Sequence, residues 1–317
     1  MLTHKYDLCY LAITCHGVGF LKDSPFVLMA KLFRKKIVIH QHNKGMAHDV
    51  DRWPYKWLLP LCYKNAKVIL LSWYLYSDIE KVAKKENVFI CPNGIKVNDN
   101  LNDNKLRIGE LENSETSETR NVKLETNRVP RLLFLSNLIE SKGVLVLLDA
   151  LKILKDKGYS FICDFVGGET KEIDAKRFKD EVEKRGLNEI AFYQGRKYGE
   201  EKDKALCIAD VFVLPTMNDC FPLVILEAME QGRPVVTTAI GGIPDIVEDE
   251  VMGLIAKAGD ASSLAICLKK LITNSQLRSE MGKKGYQLLN EKFTETVFEE
   301  KMKEVLNACV NEGMSEY

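Results

Sequence analysis

The chain has 317 residues, room for about two domains of roughly 150 each, and its 46% hydrophobic and 28% charged residues suit globular domains with sizeable cores. Lysine plus arginine (45) balances aspartate plus glutamate (45), which argues against a nucleic-acid binder, whose phosphate contacts need a basic excess. No stretch reaches the ~18 uninterrupted apolar residues of a membrane span, and MLTHKYDLCY at the start lacks the small-residue cleavage site of a secretory leader.

Short runs of Val, Ile and Leu alternate with longer helical patterns. In chain order they predict strand 7–13, helix 25–33, strand 36–41, helix 52–66, strand 68–72, helix 75–85 and strand 88–92. This βαβ repetition implies a parallel sheet covered on both faces. Residues 96–129 are rich in Asn, Glu, Ser and Thr and lack aromatics, so they read as a linker or disordered insert that marks a domain boundary. The alternation then resumes with strand 131–137, helix 143–158, strand 160–167, helix 172–185, strand 190–195, helix 199–208, strand 210–215, helix 222–231 and strand 234–238. A short helix at 243–248, strand 253–257 and helices 261–273, 276–290 and 294–310 complete the chain. The expectation is an α/β protein of two Rossmann-like domains, 1–95 and 130–292, facing a cleft, with 293–317 returning to the first. Ligands of such sheets bind at the carboxyl ends of the strands.

Nine cysteines at 9, 15, 62, 91, 163, 207, 220, 267 and 309 form no CxxC pair. Several, such as Cys163 in FICDF and Cys207 in ALCIAD, sit in apolar runs, the pattern of reduced, core-filling thiols in a cytoplasmic protein. All five histidines lie in the first 48 residues. His40 and His42 make an HxH pair without Cys or carboxylate neighbours, so no metal site is expected.

The stretch 216–247, TMNDCFPLVILEAMEQGRPVVTTAIGGIPDIV, is the most informative. Pro222 suits the first turn of a helix and Gly232 its end. Asp219 then stands at the helix mouth and Glu227 about one and a half turns inside. Free N–H groups and the positive end of the helix dipole suit a phosphate, and the carboxylates can accept hydrogen bonds from sugar hydroxyls. Periodicity alone favours a blander reading, in which Glu227, Glu230 and Gln231 form a solvated stripe. RWPYKW (52–57) mixes basic and aromatic side chains and suits a membrane surface or lipid-linked acceptor. An amphipathic helix with its tryptophans packed inward is the favoured alternative.

DCFPLVILEAMEQGRPVV followed by GGIPD resembles the signature of the retaining, nucleotide-sugar-dependent glycosyltransferases of family 4, which have the GT-B fold: acid-x-F-G-L-V-x-x-E-A-M-x-x-G-x-P-V-V, then G-G-x-x-E. FLSNLIESKG (134–143), DFVGGE (164–169), IADVFVLPT (208–216) and CPNGI (91–95) resemble further motifs of that family in the same order. The resemblance implies that Glu227 binds the ribose hydroxyls of the donor nucleotide and that Asp219, usually Glu, binds the donor sugar. Lys142 would neutralise the diphosphate as its bond to the sugar breaks. Asn137 stands where the family has a partner arginine, one positive charge fewer. Phe221 and Leu223 would offer backbone N–H groups, and Pro222, usually Gly, has none to give. Gly168 and Gly195 would approach the nucleotide through their backbone, and His42 would stand on the acceptor side.

The implied reaction is retaining glycosyl transfer to a glycan or lipid-linked acceptor in surface polysaccharide synthesis. The resemblance brings no cofactor or metal, and a nucleoside-diphosphate sugar is the co-substrate. The expected location is cytoplasmic, with a peripheral contact at the inner membrane face. Two rivals remain: a nucleotide-sugar epimerase, and a non-catalytic glycosyltransferase-like protein, the latter motivated by Asn137, Asp219 and Pro222. Family members usually carry a strand, a Gly-rich loop and two further βα units before the strand that matches 7–13. The N-terminal domain is therefore expected to be incomplete, the strand at 7–13 to have an open edge, and the isolated chain to be poorly soluble or oligomeric and weakly active.

Overall fold

The apolar runs become the strands of two parallel sheets in the computed structural model, which describes residues 8–97 and 129–311. The first sheet holds β1 (Cys9–Ala12), β2 (Ile37–Gln41), β3 (Lys67–Leu70) and β4 (Val88–Ile90), side by side in chain order. Its crossovers contain α1 (Gly17–Leu32), α2 (Met46–Asp49) and α3 (Tyr55–Tyr63). Because each crossover steps the same way, the right-handed rule puts all of them on one face. There Phe20, Val27, Ala30, Leu59 and Cys62 are buried in one cluster with Ile37, Ile39, Val68 and Leu70.

The second sheet holds β5 (Arg131–Leu135), β6 (Ile162–Val166), β7 (Ala191–Tyr193), β8 (Val211–Leu214), β9 (Val235–Thr238) and β10 (Gly253–Ala256), in the order β10-β9-β8-β5-β6-β7. Between and after these strands run α4 (Val144–Asp156), α5 (Ala175–Lys184), α6 (Gly199–Ile208), α7 (Leu223–Glu230), α8 (Ile243–Ile246), α9 (Ala261–Ile272), α10 (Ser275–Lys292) and α11 (Glu295–Asn311). Asp174, Asp260 and Asn274 cap α5, α9 and α10 by accepting the N–H groups of Arg177, Ser263 and Leu277 at 2.7, 3.0 and 2.9 Å. The sheet winds outward from β5 in both directions. The order reverses between β5 and β8, so a crevice opens beyond their carboxyl ends.

The outer face of the first sheet, left open by one-sided winding, is covered from the far end of the chain. Val38, Ile69 and Cys91 are buried there with Val305 and Cys309 of α11, flanked by Phe298, Met302 and Leu306. β2 is buried at all five positions because both of its faces are covered. A bridge between Ile95 and Thr294 ties the end of the first sheet to the α10–α11 junction, through Ile95 N–H to Phe293 O and Glu295 N–H to Ile95 O, both 2.9 Å. On the other side of β1 no strand pairs with it among the described residues, and Tyr10 is 44% exposed.

The strands fall where the sequence places them, within two residues at either end. Several helices do not. The expected helix 25–33 is the second half of α1, which starts at Gly17 and carries Pro25 inside it. Proline leaves the Leu21 carbonyl without its usual donor, and the Ser24 hydroxyl donates to that oxygen at 3.2 Å. The expected helix 75–85 is a 3-10 turn, Trp73–Asp78, followed by irregular chain. Asp78 there points away to accept the N–H groups of Gly45, Met46 and Ala47 at 2.9, 3.1 and 3.0 Å. The expected helix 52–66 is shortened to α3, behind Pro54. Cys163 is a buried core thiol, but Cys207 is exposed, on the outward side of α6 with Ile208. The expected linker lies outside the described residues except at 96, 97 and 129.

Candidate active site

The crevice beyond β5 and β8 is built from loops stitched to one another. After β5 the chain turns through Glu140–Lys142 into Gly143, which has φ 82° and opens α4. A Cβ at Gly143 would run into the Pro215 carbonyl that follows β8. Met217 N–H donates to Ser141 O at 2.7 Å, and the Thr216 hydroxyl donates to Asn218 O at 3.2 Å. This brings Lys142 and Asp219 together: Lys142 Nζ lies 2.6 Å from Asp219 Oδ2, with both side chains largely buried. Asp219 Oδ1 also accepts the Cys220 N–H at 3.1 Å. Lys142, which the resemblance assigns to the donor diphosphate, is here paired with a carboxylate.

The loops after β5, β6 and β7 form a second cradle beside the first. Gly167 N–H donates to Gly195 O at 2.9 Å, and Leu138 N–H to Gly168 O at 2.8 Å. Gly168 N–H donates to Asn137 Oδ1 at 3.1 Å. Arg196 arches over Gly168, with Nε 2.7 Å from the point where a Cβ on Gly168 would stand. Sequence reasoning missed Arg196, because nothing in GRKY marks which residue it will cover.

Phe221 is buried and its ring packs 6.1 Å from Phe293. Leu223, at the start of α7, is 41% exposed, and neither its N–H nor that of Phe221 has an acceptor among the described residues. Glu227, one turn inside α7, is half-buried and held by Lys202 of α6, Nζ to Oε1 2.7 Å. The solvated-stripe reading of this helix is overturned, since Gln231 is only 4% exposed and Glu227 and Glu230 are half-buried. Lys202 was not legible either, because it comes from a different element 25 residues away.

The first sheet faces this crevice with its own strand-end loops. Ser72, just after β3, lies against Gly242, which in turn lies against the Phe221 ring. The Cys220 thiol is pushed up to about 12, by burial first and then by Asp219, with Lys44 pulling it back. Lys44 therefore lies within electrostatic reach of the Asp219 loop. His42 leaves β2 on the same side, its ring 4.0 Å from that of His40. Burial lowers the His42 pKa. His40 is fully buried, with Nδ1 2.6 Å from the Tyr10 hydroxyl and no partner for Nε2 among the described residues. Its pKa falls to about 4 through burial and the neighbouring His42. The sequence places His40 inside its strand, and there it is. Among the described residues no group of three His, Cys, Asp or Glu side chains is placed to hold a metal ion.

Residues 115–288, more than half of the chain, match the family model described as glycosyl transferases group 1. The chain belongs to this family. Among group 1 relatives, the amylovoran biosynthesis glycosyltransferase AmsK of Erwinia amylovora is 33% identical over 147 residues, 44% of this chain and 35% of that protein. The capsular polysaccharide biosynthesis glycosyltransferase CapM of Staphylococcus aureus is 26% identical over 204 residues, 64% of this chain and 52% of that protein. The chain thus spans about half the length of the second and a third of the first. Among solved structures, Anabaena Alr3699/HepE in complex with UDP superposes with a TM-score of 0.76 at 20% identity, over 96% of this chain and 79% of that one. At that identity the likeness speaks for the group 1 fold, two Rossmann-like sheets with facing strand ends.

Proposed function

We propose that this group 1 protein is a retaining glycosyltransferase of the family 4 type. It moves a sugar from a nucleoside-diphosphate sugar to a glycan or lipid-linked acceptor in surface polysaccharide synthesis. The observation that carries the reading is the Lys142–Asp219 pair at the reversal point of the second sheet, with Glu227 on the helix behind it. AmsK and CapM, named for polysaccharide biosynthesis, and HepE, solved with UDP-glucose, support the setting and the donor class.

Donor binding exchanges the partners of the paired side chains. The sugar hydroxyls take Asp219, and the diphosphate takes Lys142. Glu227 accepts from the ribose hydroxyls in place of Lys202. The free N–H groups of Phe221 and Leu223 and the backbone at Gly168 and Gly195 line the phosphates and nucleoside. The bond from the anomeric carbon to the diphosphate breaks, and the acceptor hydroxyl attacks on that same face. Its proton passes to the departing diphosphate, whose growing charge Lys142 stabilises. His42 orients the acceptor. The nucleotide-sugar is a co-substrate, and the chemistry calls on no resident cofactor.

A second reading has one specific observation behind it. With Asn137 in place of a cation and Lys142 neutralised by Asp219, the site is poorer in positive charge than the family pattern, as suits a nucleotide-sugar binder without turnover. Incubation with a panel of nucleotide-sugars and glycan or lipid-linked acceptors separates the readings. Release of nucleoside diphosphate with glycoside formation is expected. Binding without turnover would replace the transferase reading with the second, and an epimerised donor would replace both.

The reading places the work in the cytoplasm at the inner membrane face. No described helix is long and apolar enough to cross a membrane. The surface around α1 and α3 supports a peripheral contact: Phe26, Met29 and Leu32 on α1, and Trp53, Trp57 and Leu61 at α3, are exposed, Trp53 at 79%. The expectation that these tryptophans pack inward is overturned. Residues 8–97 carry fourteen lysines and arginines against six acidic residues, whereas residues 129–311 carry twenty-five against twenty-nine. An anionic surface is attracted to the first set and repelled by the second.

A further inference from the structure

Asn137 raises a question that its own loop does not answer. A diphosphate leaving group brings two or more negative charges into the crevice, and Lys142 is already shared with Asp219. One cation so engaged is thin compensation for that charge. Close to Asn137, however, stands a guanidinium with nothing to hold. Arg196 makes no hydrogen bond and no ion pair among the described residues. It leans over Gly168, whose N–H is bonded to Asn137 Oδ1.

We propose that Arg196 supplies the second positive charge at the donor diphosphate, from β7's loop rather than β5's, in place of the cation that Asn137 lacks; this rests on the donor-site reading above.

Three features of the cradle fit that role. Gly168 has no side chain, which lets the guanidinium lie directly over its backbone. The strand-end loops that carry Asn137, Gly168 and Arg196 are locked to one another by Leu138 N–H to Gly168 O at 2.8 Å, and by Gly167 N–H to Gly195 O and the Tyr193 hydroxyl to Gly167 O, both 2.9 Å. The guanidinium is therefore presented on a fixed base although its own side chain is exposed. Arginine's planar fork also binds two phosphate oxygens at once, which the point charge of a lysine does not.

The test uses the full chain and calorimetric titration with UDP, GDP and ADP and with the corresponding nucleosides. Arg196→Ala should weaken the best-binding diphosphate roughly tenfold or more, the usual effect of losing a charged hydrogen-bond partner, and leave its nucleoside unchanged. Asn137→Arg in the Arg196→Ala background should restore diphosphate affinity. A merely structural role would move nucleoside and diphosphate together and shift the melting temperature, and that result overturns the proposal. So does wild-type diphosphate affinity in Arg196→Ala. If that variant is silent while Glu227→Gln weakens binding, only the Arg196 assignment falls. If the wild-type chain binds none of the three diphosphates, the donor-site reading falls and the assignment with it.

Discussion

At Lys142 and Glu227 a single side chain has two claimants, one in the protein and one in the proposed donor. Removing them should therefore damage catalysis and leave the fold standing. Lys142→Ala should lower kcat by about 10²–10³-fold, the range for losing one preorganised electrostatic group at a developing charge. Glu227→Gln should act mainly on KM, by roughly ten- to a hundredfold, because a charged acceptor of hydroxyl hydrogen bonds is lost. Steady-state kinetics alongside circular dichroism measure both, and near-wild-type transfer by either variant would count against the assigned site. His40 makes a different kind of statement. Its folded pKa of about 4 lies below the ordinary 6.5, so between these values the unfolded chain holds more protons than the folded one. Stability is then complete above pH 6.5 and is lost as the pH falls towards 4, by up to about 3 kcal/mol. The physical cause is burial of the ring, to which the neighbouring His42 adds. Urea midpoints at pH 7 and pH 4.5 should converge in His40→Phe relative to wild type. An equal drop in both would show that other groups carry the acid sensitivity.

Whole elements were legible from sequence where burial wrote a pattern. β2 and β8 read as continuous apolar runs because both faces are covered, and α4 reads from its 3.6-residue spacing, with Val144, Leu147, Leu148, Leu151 and Leu154 buried. The segment 75–85 misled because Leu75, Ile79 and Ala83 keep that spacing and are buried, yet Asp78 is diverted to cap α2 and the helix does not form. The Lys142–Asp219 and Lys202–Glu227 pairs and the Arg196–Gly168 contact were not legible, since each joins elements 25 to 77 residues apart and leaves no local period. Gly143 is an element-scale hinge of this kind, legible only as the end of a motif. Gly143→Ala places a side chain in the left-handed region, at about 1–2 kcal/mol, and against the Pro215 carbonyl. The variant should lose about 3 kcal/mol in a urea titration and displace the two switch-point loops. Unchanged stability would mean that these loops move more freely than their hydrogen bonds imply. For α1 and α3 the expectation concerns their outer side. Trp53→Ala with Trp57→Ala should cut sedimentation with vesicles containing anionic lipid, without affecting neutral vesicles, and added salt should weaken the wild-type interaction. Binding unaffected by both substitutions would send the membrane contact elsewhere.

On the scale of the whole molecule, two sheets share one chain unequally. The second winds both ways from its centre and covers itself with its own helices. The first winds one way and borrows α11, whose Val305 and Cys309 come more than two hundred residues after the strands they cover. Burying a side chain such as valine is worth ~1.5–3 kcal/mol, so the loan is a substantial part of what holds that sheet. It also sets a timetable for synthesis. Domains at the front of a chain ordinarily settle while the rest is still being made. Here β1 to β4 keep one greasy face uncovered until α11 has followed them out of the ribosome. Nascent chains stalled after Phe293 should therefore be cut by protease within residues 8–97, and chains released with α11 in place should resist. If both resist alike, the first sheet closes by some other means. If they differ as expected, the first sheet is a client for chaperones until α11 has been made.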